Sequence, residues 1–346
     1  MKISIVGATG YTGAELLRLL AAHPVAEILY ITSESQPDTP IHEIYPHLTR
    51  FCEKRLASLA DLETIATESQ VIFIGLPHGH AMEVGRKATA INPHVKIIDL
   101  GADYRFKNFD IYEQWYKVPH THRQAQAVYG LTELNRSQVK QAAIVGNPGC
   151  YTTASILALA PLVKAGLIDL RSIIIDAKSG VSGAGRGLSL GSHFTELFES
   201  VKAYNVAGHR HTPEIEAVLG ELAGQELVIN FTPHLIPVAR GILSTCYAQL
   251  RDGVSPEAVD AAYSSLYGDE YFVRLLGRGG YPVTKNTRGT NFCDLGWHVD
   301  KRTGRVIAIA AIDNLVKGAA GQAIQNMNVM FAIEERTGLD NAPLYP

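Results

Sequence analysis

Lys2-Ile-Ser-Ile-Val-Gly-Ala-Thr-Gly-Tyr-Thr-Gly-Ala-Glu-Leu-Leu-Arg-Leu-Leu20 decides the fold of this chain. Lys2–Val6 reads as a strand that runs straight into glycines at 7, 10 and 13. A helix-periodic apolar run over Ala14–Ala22 follows, then a second strand at Glu27–Thr32. Strand, glycine turn, helix and strand in that order make a βαβ unit of about 30 residues. The spacing Gly7, Gly10, Gly13 is a GxxGxxG variant of the dinucleotide fingerprint. Its first glycine permits the turn, its second lets the backbone approach a pyrophosphate, and its third allows close helix–strand packing. The N–H groups opening the helix then receive the anion. Thr32 and Ser33 stand at the tip of the second strand, where an acidic residue would accept the ribose 2′-OH of NAD. Their hydroxyls suit a 2′-phosphate instead, which favours NADP; Glu34, one step beyond, argues the other way.

Outward from this unit, strands are expected at Val71–Leu76, Val95–Leu100 and Ala142–Val145, alternating with helices. Short continuous apolar strands of that kind predict a parallel sheet covered on both faces. Beyond residue 149 the texture changes. Strands are expected at Ser172–Ala177, Leu227–Phe231, Gly241–Leu250 and Phe272–Leu276. A hairpin of Asn291–Val299 with Arg305–Ile312 turns at Asp300–Gly304. Helices are expected at Tyr151–Ala165, Thr212–Leu222, Pro256–Tyr267 and Leu315–Glu335. The fold class is therefore α/β. A Rossmann-type parallel-sheet domain spans 1–149, and an α+β domain with a mostly antiparallel or mixed sheet spans 150–314.

The 346 residues are 46% hydrophobic and 19% charged, enough apolar material for two domains of ordinary size. A net charge of −3 with no basic block argues against nucleic acid as a partner. No apolar run reaches the roughly 18 residues needed to span a bilayer, so no membrane role is expected. Cys52, Cys150, Cys246 and Cys293 form no CxxC pair, which suits a reducing compartment. With no leader-like segment before Lys2, the expected location is the cytoplasm.

The chemistry centres on Gly146-Asn-Pro-Gly-Cys-Tyr-Thr-Thr153, between the strand Ala142–Val145 and an apolar helical run. Pro148 and Gly149 force a tight turn, leaving Cys150 at the first helical position. There the unpaired N–H groups and the helix dipole favour a thiolate, and a thiolate is a nucleophile. On the turn alone, Cys150 reads equally well as a small buried side chain; the glycine fingerprint shifts the balance towards catalysis. Gly208-His-Arg-His-Thr-Pro-Glu214 is the second cluster. Thr212 fits an N-cap with Pro213 at the first helical position, so His211 lies at the mouth of a helix as a candidate acid–base, with His209 the alternative. The two HxH pairs, His78/His80 and His209/His211, lack a third ligand at suitable spacing, and no metal is expected. Arg105, Lys178, Arg186, Arg210 and Arg240 punctuate segments expected to converge on Cys150, a set suited to a small polyanionic substrate.

Five motifs in register, Gly7–Gly13, Leu76-Pro-His-Gly79, Gly146–Tyr151, Ser179-Gly-Val-Ser-Gly-Ala-Gly-Arg186 and His209-Arg-His-Thr-Pro-Glu-Ile215, resemble the N-acetyl-gamma-glutamyl-phosphate reductases. That family belongs to the aspartate-semialdehyde-dehydrogenase-like group. The resemblance covers nearly the whole chain. It implies NADPH-dependent reduction of N-acetyl-L-glutamyl 5-phosphate, a step of arginine biosynthesis, by a homo-oligomer (dimer or tetramer). It also implies that the C-terminal segment, about 315–346, returns to the nucleotide domain and that the 150–314 domain is the substrate and oligomerisation domain. With it go the cofactor candidates Gly7, Thr9, Gly10, Tyr11, Thr12, Gly13, Ser33, Leu76, Pro77, Gly180, Ser182, Gly183 and Asn314. The substrate candidates are Arg105, Asn147, Lys178, Arg186, Arg210 and Arg240. Two departures stand out: Gly101 replaces the family's usual Ser in Asp-Leu-Ser-Ala-Asp, and Glu34 with Gln36-Pro-Asp replaces a basic residue and Gly-Lys. An aminoadipyl or aspartyl phosphate is the alternative substrate, and a nucleotide sensor with a dead site the alternative class.

Overall fold

The amino-terminal strand lies inside a sheet and organises it. The computed structural model describes residues 1–345. The chain divides into two units, residues 1–149 with 319–341 and residues 150–318 with those from Ala342 on. In the first unit, β1 (Lys2–Val6), β2 (Glu27–Thr32), β3 (Leu56–Ala57), β4 (Val71–Ile74), β5 (Lys96–Asp99), β6 (Ala127–Tyr129) and β7 (Ile144–Gly146) form a seven-stranded sheet. Its order is β3-β2-β1-β4-β5-β7-β6, and every pairing is parallel. Strand β4, Val-Ile-Phe-Ile, is buried along its whole length. Burying side chains of this size stabilises the fold by about 1.5–3 kcal/mol each. The strand order reverses between β1 and β4, and open α/β sheets bind ligands beyond the carboxyl ends of strands at such a switch point.

The carboxy-terminal helix of this unit, Gly321–Met330, is buried throughout although rich in amides. Several of its amides have fixed partners. Asn326 Nδ2 donates to Gly130 O (2.8 Å) and Asn147 Oδ1 (3.0 Å), and Gln325 Nε2 donates to Glu133 Oε1 (2.9 Å). Buried amides without such partners would each cost about 1–3 kcal/mol. The helix stops at Met330 rather than at the expected Glu335. Ala332 turns left-handed (φ 53°), and Asn328 Nδ2 captures the carbonyls of Glu335 and Thr337 at 3.1 and 2.9 Å. Pro346, the last residue of the expected C-terminal segment, lies outside the described residues. His23 is buried and bonds Asn328 Oδ1 at 3.0 Å.

In the second unit β8 (Ile174–Gly180), β9 (Lys202–Ala203), β10 (Asn230–Ile236), β11 (Ile242–Gln249), β12 (Val273–Arg278), β13 (Cys293–Asp300) and β14 (Arg305–Ile312) form a mixed sheet ordered β12-β13-β14-β11-β8-β10-β9. The β8/β10 and β12/β13 pairs are parallel and the others antiparallel. Strand β11 alternates buried Ile242, Ser244, Cys246 and Ala248 with half-exposed neighbours, the pattern of a sheet covered more fully on one face. The helix Cys150–Lys164 packs on β11 and β14. The helix Pro256–Tyr267 is laid against it by Tyr263 and Tyr267, whose hydroxyls donate to Ala158 O (2.6 Å) and Leu157 O (3.0 Å). Strand β10 begins three residues later than the expected Leu227. It runs through Pro233, which has no N–H to give but whose carbonyl accepts the Tyr204 N–H (3.1 Å) just past the end of the edge strand β9.

Candidate active site

Cys150 is the first residue of its helix and is half-buried, and no disulfide engages it. The Pro148-Gly149 turn links β7 to this helix, whose first N–H groups have no acceptor within the helix. A second helix, Thr212–Ala223, packs alongside. Thr152 Oγ1 donates to Glu214 Oε1 at 2.9 Å, both residues being buried. This bond ties the first turns of the two helices together, so that Cys150 and His211 head neighbouring helices. The cap is His211 itself, not Thr212 as the sequence suggests. The cause is local: His209 Nδ1 accepts the His211 N–H (3.1 Å) and His209 O accepts the Thr212 N–H (3.0 Å), closing a turn that does the work of a cap.

An aromatic cluster surrounds these histidines. The rings of His209 and His211 are 4.7 Å apart, and Tyr151 meets them edge-on at 5.7 and 6.1 Å. Phe231 and Tyr204 enclose His209 at 5.4 and 5.5 Å. Burial drives the His209 pKa down to about 4, with a further push from Arg210, so this ring is neutral near physiological pH. The Tyr204 hydroxyl donates to the Tyr151 hydroxyl (3.3 Å), which donates to His234 O (3.0 Å). Burial raises the pKa of Tyr204 to about 12 and that of Tyr151 further; negative charge on Cys150 adds to both shifts.

The glycine-rich loop after β8 is pinned by Asn314, which donates from Nδ2 to Ser182 Oγ (2.9 Å) and accepts the Gly241 N–H at Oδ1 (2.8 Å). Gly180 is required by close approach, since a Cβ there would lie 2.8 Å from Arg240 N. A Cβ at Gly183 would come to 3.0 Å from Ser179 Oγ. Arg240 faces the buried carboxylate of Asp313 at 3.5 Å. Arg210 and Arg186 are exposed on the segments flanking this loop and the histidines.

Not every candidate converges. Lys178 alternates with the buried Ala177 and Ser179 on β8, so strand geometry turns it to the opposite face of the sheet from the Cys150 helix. There it pairs with Asp176 at 2.9 Å. Asn147 belongs to the first unit, and its amide is engaged: Nδ2 donates to Ala319 O (3.1 Å) and Oδ1 accepts from Asn326. Arg105, in the same unit, is fixed through Nε to Asn147 O (2.7 Å) and Nη2 to Leu100 O (3.1 Å). Sequence reasoning missed Tyr204, Glu214 as a partner of Thr152, and Asp313. Only Glu214 carried a signal, through its place in the His-Arg-His-Thr-Pro-Glu run.

The glycine turn of the first unit fits a dinucleotide. Gly7 is left-handed (φ 84°), and a Cβ there would lie 2.6 Å from Gly75 O, at the switch point between β1 and β4. Gly13 lets the helix Tyr11–Leu20 sit against Ala8, whose carbonyl oxygen would be 2.4 Å from an added Cβ. A Cβ at Gly10 would meet nothing within 4 Å, and no side chain caps the helix that Gly10 precedes. That is an open cradle of N–H groups suited to a pyrophosphate. At the tip of β2, Ser33 Oγ lies 3.4 Å from Thr9 Oγ1 and 3.2 Å from Ser35 Oγ. Glu34 is turned away, its Oε1 accepting the Leu59 N–H at 2.7 Å. The tip therefore presents hydroxyls rather than a carboxylate, the chemistry a 2′-phosphate calls for. Leu76 and Pro77 follow β4 at the same end of the sheet.

Residues 2–142 match the semialdehyde dehydrogenase NAD binding domain, and residues 150–314 the semialdehyde dehydrogenase dimerisation domain. Among solved structures, aspartate semialdehyde dehydrogenase II of Vibrio cholerae complexed with ASA superposes with a TM-score of 0.70 at 17% identity, over 96% of this chain and 98% of that one. The Candida albicans aspartate semialdehyde dehydrogenase with NADP gives 0.69 at 18%, over 96% and 98%. These two share the fold. Among the described residues no helix is long and apolar enough to cross a membrane. The N-acetyl-gamma-glutamyl-phosphate reductase of Pelotomaculum thermopropionicum is 55% identical over 100% of this chain and 99% of its own length. That of Desulforamulus reducens is 51% identical over the whole of both chains. On identity and coverage together, the chain belongs to the N-acetyl-gamma-glutamyl-phosphate reductase family of semialdehyde dehydrogenases.

Proposed function

We propose that the protein reduces N-acetyl-L-glutamyl 5-phosphate to N-acetyl-L-glutamate 5-semialdehyde and phosphate, with NADPH, through a thioester on Cys150, as a step of arginine biosynthesis. The observation that carries the reading is a half-buried thiol opening one helix while His211 heads the helix tied to it. The substrate is supported by the names of the full-length relatives.

The Cys150 thiolate attacks the acyl phosphate carbonyl; a C–S bond forms, and the C–O bond to phosphate breaks as phosphate leaves. N–H groups in the first turn of the helix face the oxyanion. Bound NADPH supplies the hydride that reduces the thioester carbon. Collapse of the tetrahedral adduct breaks the C–S bond, giving the aldehyde and the free thiolate. His211 takes the thiol proton and gives it to the departing phosphate, and a solvent proton restores the thiol after the thiolate is released. His209, kept neutral by burial, holds the His211 backbone rather than exchanging protons itself. Arg240, Arg210 and Arg186 supply positive charge for the anionic substrate, and Asn314 sets the loop of Gly180, Ser182 and Gly183. The first unit binds NADP, the second binds substrate and carries the contacts of a homo-oligomer, and the enzyme works in the cytoplasm.

The test is reverse-direction spectrophotometry with phosphate, NADP or NAD, and a panel of semialdehydes. NADP with N-acetylglutamate semialdehyde is expected to give the highest kcat/KM. A preference for aspartate or aminoadipate semialdehyde would reassign the substrate, and no turnover with any would leave a nucleotide sensor.

A further inference from the structure

Beyond β14 the chain enters a buried corner built around Asp313. Its Oδ1 accepts the N–H groups of Leu315 (2.8 Å) and Val316 (3.3 Å), and its Oδ2 accepts that of Gly289 (2.7 Å). Its carbonyl accepts the Gly318 N–H at 3.0 Å. These bonds hold a single wide turn, Val316–Ala320, of π type. Such turns recur at functional sites because they displace one residue from the regular helical surface. Gly318 lies within this turn and packs against Cys150. A Cβ at Gly318 would lie 2.7 Å from Cys150 Cβ, 3.1 Å from Cys150 Cα and 3.3 Å from Ile312 Cδ1. Gly318 is not among the residues with positive φ, so its backbone does not require glycine. Close approach does.

We propose that Gly318 is a positioning residue for the Cys150 nucleophile: its bare Cα, held by the Asp313-capped turn, closes one side of the cysteine and sets where the sulfur points. The inference rests on the reading of Cys150 as the nucleophile. Neither of the two nearest atoms is the end of a flexible side chain, so a methyl at 318 must move either the turn or the first residue of the Cys150 helix. The hydrogen bonds of Asp313 oppose movement of the turn, which leaves the cysteine to shift. Misplacement of a reacting group by about 1 Å costs on the order of 100-fold in rate.

The experiment compares Gly318→Ala, Asp313→Asn and Cys150→Ser with the parent full-length enzyme. For Gly318→Ala, kcat is expected to fall by about 100-fold, with KM for both substrates nearly unchanged. The rate of Cys150 alkylation by iodoacetamide, followed against pH, is expected to shift; a purely structural loss would not move that profile in folded protein. Asp313→Asn keeps the side-chain volume and weakens the cap. It is expected to lower kcat in the same direction, and it carries the test if Gly318→Ala does not fold. An unaltered kcat and alkylation profile in the folded variant overturns the proposal while Cys150→Ser remains dead. Turnover by Cys150→Ser would instead overturn the thioester reading on which it rests.

Discussion

The Thr152 hydroxyl donates to the buried Glu214 carboxylate at 2.9 Å, joining the first turn of the Cys150 helix to the residue three past His211. Cys150 and His211, 61 positions apart in sequence and proposed as nucleophile and proton partner, thus head two helices that this bond joins. Thr152→Val keeps the shape and removes the donor. Loss of a buried partner to a charged group is expected to cost about 1–3 kcal/mol in urea unfolding, together with a lower kcat at unaltered NADPH affinity. An unchanged unfolding midpoint would show that the two helices are aligned by packing alone.

Cys150→Ser tests the chemistry. A serine hydroxyl in place of the thiolate is expected to lower reduction by on the order of 10⁴-fold or more. NADPH binding, read by fluorescence titration, should be nearly the same as in the parent because the glycine cradle lies in the other unit. Substantial turnover by the variant would exclude a thioester.

Gly10 and Gly13 look alike in sequence and differ in what surrounds them. A methyl on Gly10 meets nothing within 4 Å, whereas one on Gly13 would meet the Ala8 carbonyl oxygen at 2.4 Å. Gly10→Ala is expected to fold with a Tm close to that of the parent and to bind NADPH at least about tenfold more weakly, because the methyl stands where the pyrophosphate approaches. Gly13→Ala is expected to lose stability first. Equal NADPH affinity in Gly10→Ala would move the nucleotide elsewhere.

His209 makes a signed prediction about acid stability. Burial holds its folded pKa at about 4 against 6.5 for an ordinary histidine. Above the ordinary value the ring is neutral in both states and contributes nothing to the pH dependence. Between that value and about 4, the unfolded chain binds a proton that the folded one does not, so stability falls as pH falls. Asp99 tilts the parent curve the other way in the same window, since burial and then Asp103 push its carboxyl up to about 7. The comparison is therefore between parent and His209→Asn. On going from about pH 7.5 to pH 5, the variant should lose about 2 kcal/mol less unfolding free energy than the parent. Parallel curves would mean that His209 is protonated in the folded state.

Much of the fold was legible because it rests on local rules. The strand–turn–helix of residues 2–20 and the alternation of short apolar strands specify a parallel sheet, and Pro148-Gly149 leaves the next residue no choice but to start a helix. The cap at residue 212 misread because a side-chain–backbone turn through His209 competes with threonine capping, and that competition is settled by how the turn packs. Strand β10 starts at Asn230 rather than Leu227 because its pairing with β8 begins there, opposite Ile174, the first residue of β8. The doubt over Glu34 was resolvable only by seeing its carboxylate occupied by the Leu59 N–H.

Taken alone, the order of residues determined the two sheet types, the glycine cradle and the cysteine at a helix start, because each depends on backbone geometry within a few residues. Tertiary structure decided that Glu214, Tyr204 and Gly318 gather around Cys150 while Lys178 turns to the far side of its sheet. Those outcomes depend on strand register and helix packing between segments far apart in the chain, where a one-residue slip reverses every side chain.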